Sequence, residues 1–296
     1  MRILIGVGYA LILPIVVLVL LPLVGVVSPL MAIMVGALYL ISHMLRAIRL
    51  AALSVDVLGI SARTAAAMHF ASAPLSILLP FKAGEFVRFY ALWKMSSNPL
   101  YAIIVLLIDR MFDSLFLIPI LIVLMSAGGA PTSLAVFAIL AATIPLTVIV
   151  VGPKLLTELQ RYVVASHNDP IALDVLSRVD ATRRVVTNAA HVARRQASEL
   201  CVISFLIWLC EVLVCVILIN SAELLADLSS LDLLETRLVT SWWGDGADAF
   251  TTTALALTTI SLLLPWPIMA AIFFDRYGGE PRRKPVLERS NARVVT

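Results

Sequence analysis

The sequence predicts an all-α, polytopic integral membrane protein with about six spanning helices, a re-entrant helical hairpin and both termini cytoplasmic. Three observations predict it. Hydrophobic residues make up 61% of the 296 residues and charged residues 14%, with a mean hydropathy of +1.01. That is more apolar surface than a water-soluble domain uses. The apolar residues fall in continuous runs close to the ~20 residues that cross a bilayer core, not in the short alternating segments of a membrane β-barrel. The basic residues gather on some connections between these runs and avoid others.

Six runs have the length to span: 3–24, 29–48, 99–125, 133–152, 199–220 and 251–274. The first has a single basic residue, Arg2, ahead of an apolar stretch too long for a cleavable leader, so it reads as a helix. A shorter stretch, 64–80, carries Pro74 and Pro80 and runs straight into the charged segment 81–98. Proline there kinks or ends a helix. His43, Arg46, Arg49 and Arg63 follow the second run, the long segment 153–198 carries seven Lys and Arg, and the tail 276–296 is again basic. By the positive-inside rule all three face the cytoplasm. The loop 221–250 is acidic, and with the short loop 126–132 it faces outward.

Counting crossings from these assignments gives segment 64–98 both ends on the cytoplasmic face. It therefore dips into the membrane and returns. Such backbone is tolerated only where protein or a water-filled cavity surrounds it. The chain reads as one transmembrane domain, 1–275, with an amphipathic cytoplasmic segment 153–198, an acidic external loop 221–250 and a basic cytoplasmic tail 276–296. Ser76-Ile-Leu-Leu-Pro80-Phe81 is faintly echoed by Ser261-Leu-Leu-Leu-Pro265-Trp266. Repeated broken helices are a transporter feature. Whether 251–274 spans once or breaks at Pro265–Pro267 stays open.

The chemistry lies in the charges within this apolar frame. Asp109 is ten residues into the helix that starts near Pro99, which at ~1.5 Å per residue is ~15 Å, half of a ~30 Å hydrocarbon core. Glu211 lies at a similar depth counted from Leu200. Each such charge costs roughly 2.5–3.5 kcal/mol at a helix centre, so Asp109, Arg110, Asp113 and Glu211 must face one another, the re-entrant segment or water. Asp109 and Asp113 share a helix face, and Arg110 pairs with Asp113 at i,i+3. A buried ion-pair cluster that only fixes helix packing is the plain alternative. In the re-entrant segment, Lys82 and Arg88 suit an anion, the first as a point charge and the second as a two-pronged donor for phosphate. Their plain alternative is snorkelling to headgroups. Gly84 removes a side chain where backbone N–H groups could approach an oxyanion, and Glu85 lies between the two cations.

Other chemistries are poorly served. His69 reads as a packed core residue, and His43, His167 and His191 as interfacial. Cys201, Cys210 and Cys215 share one apolar run at a spacing that suits neither a metal site nor a disulfide framework. No HExxH, GxSxG or P-loop pattern is present. The expectation is a protein that is not an enzyme, with no catalytic residue, metal, cofactor or nucleic-acid partner.

The run Leu79-Pro80-Phe81-Lys82-Ala83-Gly84-Glu85, Arg88 three residues on, and then Asp109-Arg110-Met111-Phe112-Asp113 resembles the lysylphosphatidylglycerol synthase transmembrane-region family. Trp208-Leu-Cys-Glu211 is similar to that family's Trp-x-x-Glu helix, and Ser261 to Pro267 to the start of its second proline loop. That loop usually continues Pro-Gly-Gly-x-Gly and ends in Glu, whereas here it reads Pro265-Trp-Pro267-Ile-Met-Ala-Ala. The resemblance implies a lipid flippase without the linked synthase domain, in a prokaryotic cytoplasmic (inner) membrane. It would move an anionic or glycosylated phospholipid or a polyprenyl-phosphate lipid between leaflets. Lys82, Gly84, Glu85 and Arg88 would take the headgroup, and Asp109, Arg110, Asp113 and Glu211 would act as midplane relay or gate. The alternative is a non-transporting subunit that scaffolds or presents lipid to a glycosyltransferase or lipid synthase, docking through 153–198. Self-association into a homo-oligomer stays open.

Overall fold

The computed structural model describes Ile12 and residues 28–78, 83–96, 98–126, 132–166, 170–221 and 249–277. Every element among them is α-helical: α1 (Pro29–Leu58), α2 (Ala62–Leu78), α3 (Ala83–Ser96), α4 (Pro99–Ser126), α5 (Thr132–Val150), α6 (Gly152–Ser166), α7 (Pro170–Arg195), α8 (Ala197–Ser221), α9 (Ala249–Leu263) and α10 (Trp266–Tyr277). The expected span 3–24, apart from Ile12, lies outside the described residues, as do Pro80, Lys82, the loop 222–248 and the tail from 278.

Helix α1 is the hub. It packs against α2, α4, α7, α8 and α9. Its ends follow from local chemistry. The Ser28 hydroxyl accepts from the Met31 N–H at 3.3 Å, and Pro29 opens the helix where its missing N–H is not needed. Gly59 closes it in the left-handed conformation, φ 68°, donating to the Val55 carbonyl. A Cβ is disfavoured there, so Gly59→Ala is expected to cost roughly 1–2 kcal/mol, read as a lower unfolding midpoint in detergent.

This helix corrects the sequence-based span of 29–48, because α1 continues through His43, Arg46 and Arg49 to Leu58. Two of the three arginines assigned there to a cytoplasmic connection, Arg46 and Arg49, stand inside α1, and Arg49 is only 1% exposed. The buried positions Met31, Val35, Tyr39, Ser42, Arg49, Leu53 and Val57, with half-buried Arg46 between Ser42 and Arg49, trace one stripe of three- and four-residue steps. The charges lie on the packed face, so they did not end the helix.

Among the described residues two helices have the length and apolarity to cross a membrane, Pro29–Leu58 and Ala197–Leu218. The number rises to four if each of two bent pairs is one span. One pair is α5 with α6, bent by 52°. The other is α9 with α10, bent by 47°, so 251–274 is broken at Leu264–Pro265. Segment 64–98 is two helices packed against each other, α2 and α3. The 153–198 segment is also two helices. α6 exposes Leu155, Leu159 and Tyr162 along one side. α7 is tied to α6 by Gln160, whose amide donates to Asp180 at 3.1 Å. That bond and one from Arg183 hold the Asp180 carboxyl below its ordinary value. The second half of α7 is not a surface element. Val185, Val186, Ala189, Ala190, Val192 and Ala193 are buried in the main apolar cluster.

A polar layer lies between two buried apolar clusters, and the outer faces are apolar. One apolar cluster joins Leu50, Leu53 and Val57 of α1 to Ile104, Val105 and Ile108 of α4 and Leu200 of α8. A second joins Met31, Val35 and Tyr39 to Leu121, Val214, Cys215 and Leu218. Between them along α1, α4 and α8 come Ser42 to Arg49, Asp109 to Asp113, and Ser204 to Glu211. The outward faces carry Ile33, Ile41 and Ile48 on α1 and Val202, Phe205, Leu209, Leu213 and Val216 on α8, all exposed. Exposed apolar stripes of this length are disfavoured in water and fit a lipid surround, which makes this a membrane protein.

Candidate functional site: a charged cavity between two apolar clusters

A cavity of about 250 Å³ opens among α1, α2, α3, α4, α8 and α9. It is built from the polar layer just described. Arg49 is its deepest member. Its Nε donates to Asp109 Oδ1 at 2.8 Å, and its Nη1 lies 2.8 Å from Asp113 Oδ1 and donates to the Ser204 hydroxyl at 2.8 Å. One guanidinium thus joins α1, α4 and α8, and the planar fork lets it hold two carboxylates of one helix face at once.

Around it runs a chain of further ion pairs. Arg46, one turn before Arg49, reaches Asp113 at 3.5 Å and Glu211 at 3.2 Å. The Ser42 hydroxyl also donates to Glu211, at 3.1 Å. On the other side Arg110 donates to Glu85 at 2.6 Å and to Asp113 at 3.3 Å. Glu85 pairs at 3.2 Å with Arg88, whose Nε donates to the Ser72 hydroxyl of α2 at 3.3 Å. The Trp208 indole donates to the Asp113 carbonyl at 3.0 Å, fastening α8 beside α4.

Glu85, Arg88, Asp109, Arg110, Asp113 and Glu211, named from sequence as site residues, all line this one cavity. Lys82 lies outside the described residues. Gly84 has a structural job of its own. A Cβ there would come within 2.5 Å of the Ser72 carbonyl oxygen and the Ser76 nitrogen, and would also strike the Ser76 hydroxyl. The missing side chain lets α3 approach the backbone of α2, and this places Glu85 and Arg88.

Sequence reasoning missed Arg46, Arg49 and His43, which it placed in a cytoplasmic connection. It also took His69 as a packed core residue. His69 is buried, at 3% exposure, but it lines the cavity with His43 opposite; the two ring nitrogens are 3.4 Å apart. The signal was present. His43, Arg46 and Arg49 recur every three residues in phase with Tyr39, Leu50 and Leu53, and Ser28-Pro29 and Gly59 bracket the whole. Among the described residues no cluster of His, Cys, Asp and Glu has the arrangement to hold a metal ion.

The second proline segment meets the first. The Trp266 indole donates to the Ala71 carbonyl of α2 at 3.3 Å, and the Ser261 hydroxyl to the Gly36 carbonyl of α1 at 3.0 Å. Thr258 of α9 completes the cavity wall. No protein-family model, no curated protein and no solved structure matches the chain.

Proposed function

We propose that this chain moves an anionic or glycosylated phospholipid, or a polyprenyl-phosphate lipid, between the leaflets of a prokaryotic inner membrane. The headgroup enters the charged cavity, and the acyl chains stay in the surrounding lipid. One observation carries the reading: a roomy, charged cavity enclosed by helices whose outer faces are apolar. A headgroup needs a polar path through the hydrocarbon, and a structural ion pair does not need a cavity around it. The motif resemblance supports the same reading, because its Leu-Pro-x-basic-x-Gly-Glu segment and its acid-Arg-x-x-Asp helix converge here through Glu85 and Arg110. In this reading about six helices span, α2 and α3 form a hairpin re-entering from the cytoplasmic side, and both termini are cytoplasmic. Arg88 takes the phosphate. Glu85, Asp109, Arg110, Asp113 and Glu211 rearrange their pairings as it passes.

The test is leaflet exchange of fluorescent phosphatidylglycerol in proteoliposomes, followed by dithionite quenching. Arg88→Gln and Asp109→Asn are each expected to slow exchange roughly tenfold or more, as loss of a charge-assisted contact implies. Exchange unchanged in both variants, at equal incorporation, would sink the assignment.

A further inference from the structure

The charges of the described residues that line the cavity cancel. Among the described residues Arg46, Arg49, Arg88 and Arg110 face Glu85, Asp109, Asp113 and Glu211, four against four. Each of these arginines already contacts a carboxylate. A ligand with a fixed negative charge would therefore enter a site where no described cation lacks a partner. In a low-dielectric surround the uncompensated charge is costly. Neutrality returns if a proton enters with the anion.

The lining also holds a group suited to take that proton. Every carboxylate there already contacts an arginine. The remaining titratable groups are His43 of α1 and His69 of α2, and histidine is the side chain whose ordinary pKa, about 6.5, lies near physiological pH. Their facing nitrogens are 3.4 Å apart and their rings 5.6 Å apart, tilted by 39°. When the pair is neutral, one nitrogen donates and the other accepts. Adding a proton to the far nitrogen of the donor ring makes that ring an imidazolium, strengthens the contact and places one positive charge on the cavity wall. The charged groups facing the pair come from every side. α1 offers Arg46 and Arg49, α3 Glu85 and Arg88, α4 Asp109, Arg110 and Asp113, and α8 Glu211, while α9 supplies the uncharged Thr258. α10 packs on α2 but contributes no described lining residue.

We infer that binding of a phosphodiester-type anion in this cavity is coupled to uptake of one proton by the His43–His69 pair. The inference deepens the transport reading and rests on its anion site. Coupling is reciprocal: a proton on the pair tightens anion binding by the factor by which the anion tightens the proton. A singly charged headgroup that carries one proton crosses as a neutral unit, so membrane potential does not act on it. A pH gradient then drives it.

The test uses the full chain in detergent and two probes whose charge is constant between pH 5.5 and 8. One is dihexanoyl phosphatidylglycerol and the other is glycerophosphoglycerol, the same phosphodiester without acyl chains. Titration calorimetry in two buffers of different ionisation enthalpy gives both affinity and proton count. The expected result is uptake of about one proton per ligand and affinity rising up to about tenfold per unit fall in pH. His69→Gln and His43→Gln are expected to bind with neither proton uptake nor pH slope. Pronounced binding of both probes that is pH-independent and proton-free in the parent would overturn the coupling and leave the anion site standing. Binding of neither probe at any pH would overturn both. Equal affinity for the two probes, with the pH slope intact, would support the coupling while overturning the lipid reading.

Discussion

Replacing Arg49 by methionine is expected to destabilise the protein by about 3–5 kcal/mol, more than any other single change within the cavity. Methionine keeps much of the volume, so the loss is electrostatic. Asp109 and Asp113 would remain, buried, without the cation that lies 2.8 Å from each, and Ser204 would lose its donor. Removing one partner of a buried pair strands the other charge, which costs more than the pair was worth. Arg49→Lys is expected to fall between, since an ammonium cannot hold two carboxylates in the fork that guanidinium provides. The measurement is the unfolding midpoint in detergent for the single variants and for Arg49→Met combined with Asp109→Asn and Asp113→Asn. The combination should recover much of the loss, because the neutral amides no longer need a cation. An Arg49→Met protein as stable as the parent would contradict the ion-pair geometry.

The second large effect is expected at Gly84. Gly84→Ala sets a methyl group within 2.5 Å of backbone atoms of Ser72 and Ser76, which cannot rotate aside as a flexible side chain can. Helix α3 must then move outward. Overpacking of this kind costs about 1–3 kcal/mol. It should also break the 3.3 Å bond from Arg88 to Ser72 and disturb the 2.6 Å bond from Arg110 to Glu85. Stability and lipid exchange are therefore expected to fall together. Gly36→Ala is the control. Its Cβ would meet the Ser261 hydroxyl at 3.4 Å, an ordinary contact, and alanine favours the helix by about 1 kcal/mol. A Gly84→Ala protein with unchanged midpoint and unchanged exchange would show that α2 and α3 do not touch here.

Much of the site was legible because membrane-depth charges are rare enough to stand out singly. Asp109, Arg110, Asp113 and Glu211 were found by depth, and Glu85 and Arg88 by spacing. The central cation was missed for the same reason that the others were found. Arg46 and Arg49 lower the local hydropathy so far that a sliding apolar run stops at 48, although the helical phase continues unbroken to Val57. Periodicity would have kept Arg49 in the packed stripe, and Ser28 and Gly59 mark the true ends. The inner half of α7 was obscured similarly. Arg183, Arg184, Arg194 and Arg195 give it a cytoplasmic look, yet Val185, Val186, Ala189, Ala190, Val192 and Ala193 keep a buried face. In both helices the average over a window hid what the phase within it showed. The sequence left the break near Pro265 open, although two prolines flanking Trp266 leave little room for a continuous helix. What sequence could not supply is partnership: nothing in the chain's order says that Glu85 meets Arg110, 25 positions further on, or that His43 meets His69.

The ion pairs between α1 and α4 also set how these helices can slide. Arg46 and Arg49 are three residues apart, and Asp109 and Asp113 are four apart, so both rows repeat at about one helical turn, ~5.4 Å. Asp113 contacts both arginines. Two toothed rows of similar pitch, ~4.5 and ~6.0 Å, settle best at discrete notches. Half a turn of slip would leave every tooth between partners. A full turn would engage one cation with one acid and release the others. Sliding of α1 along α4 is therefore favoured in steps of about one turn, like a rack against a pawl.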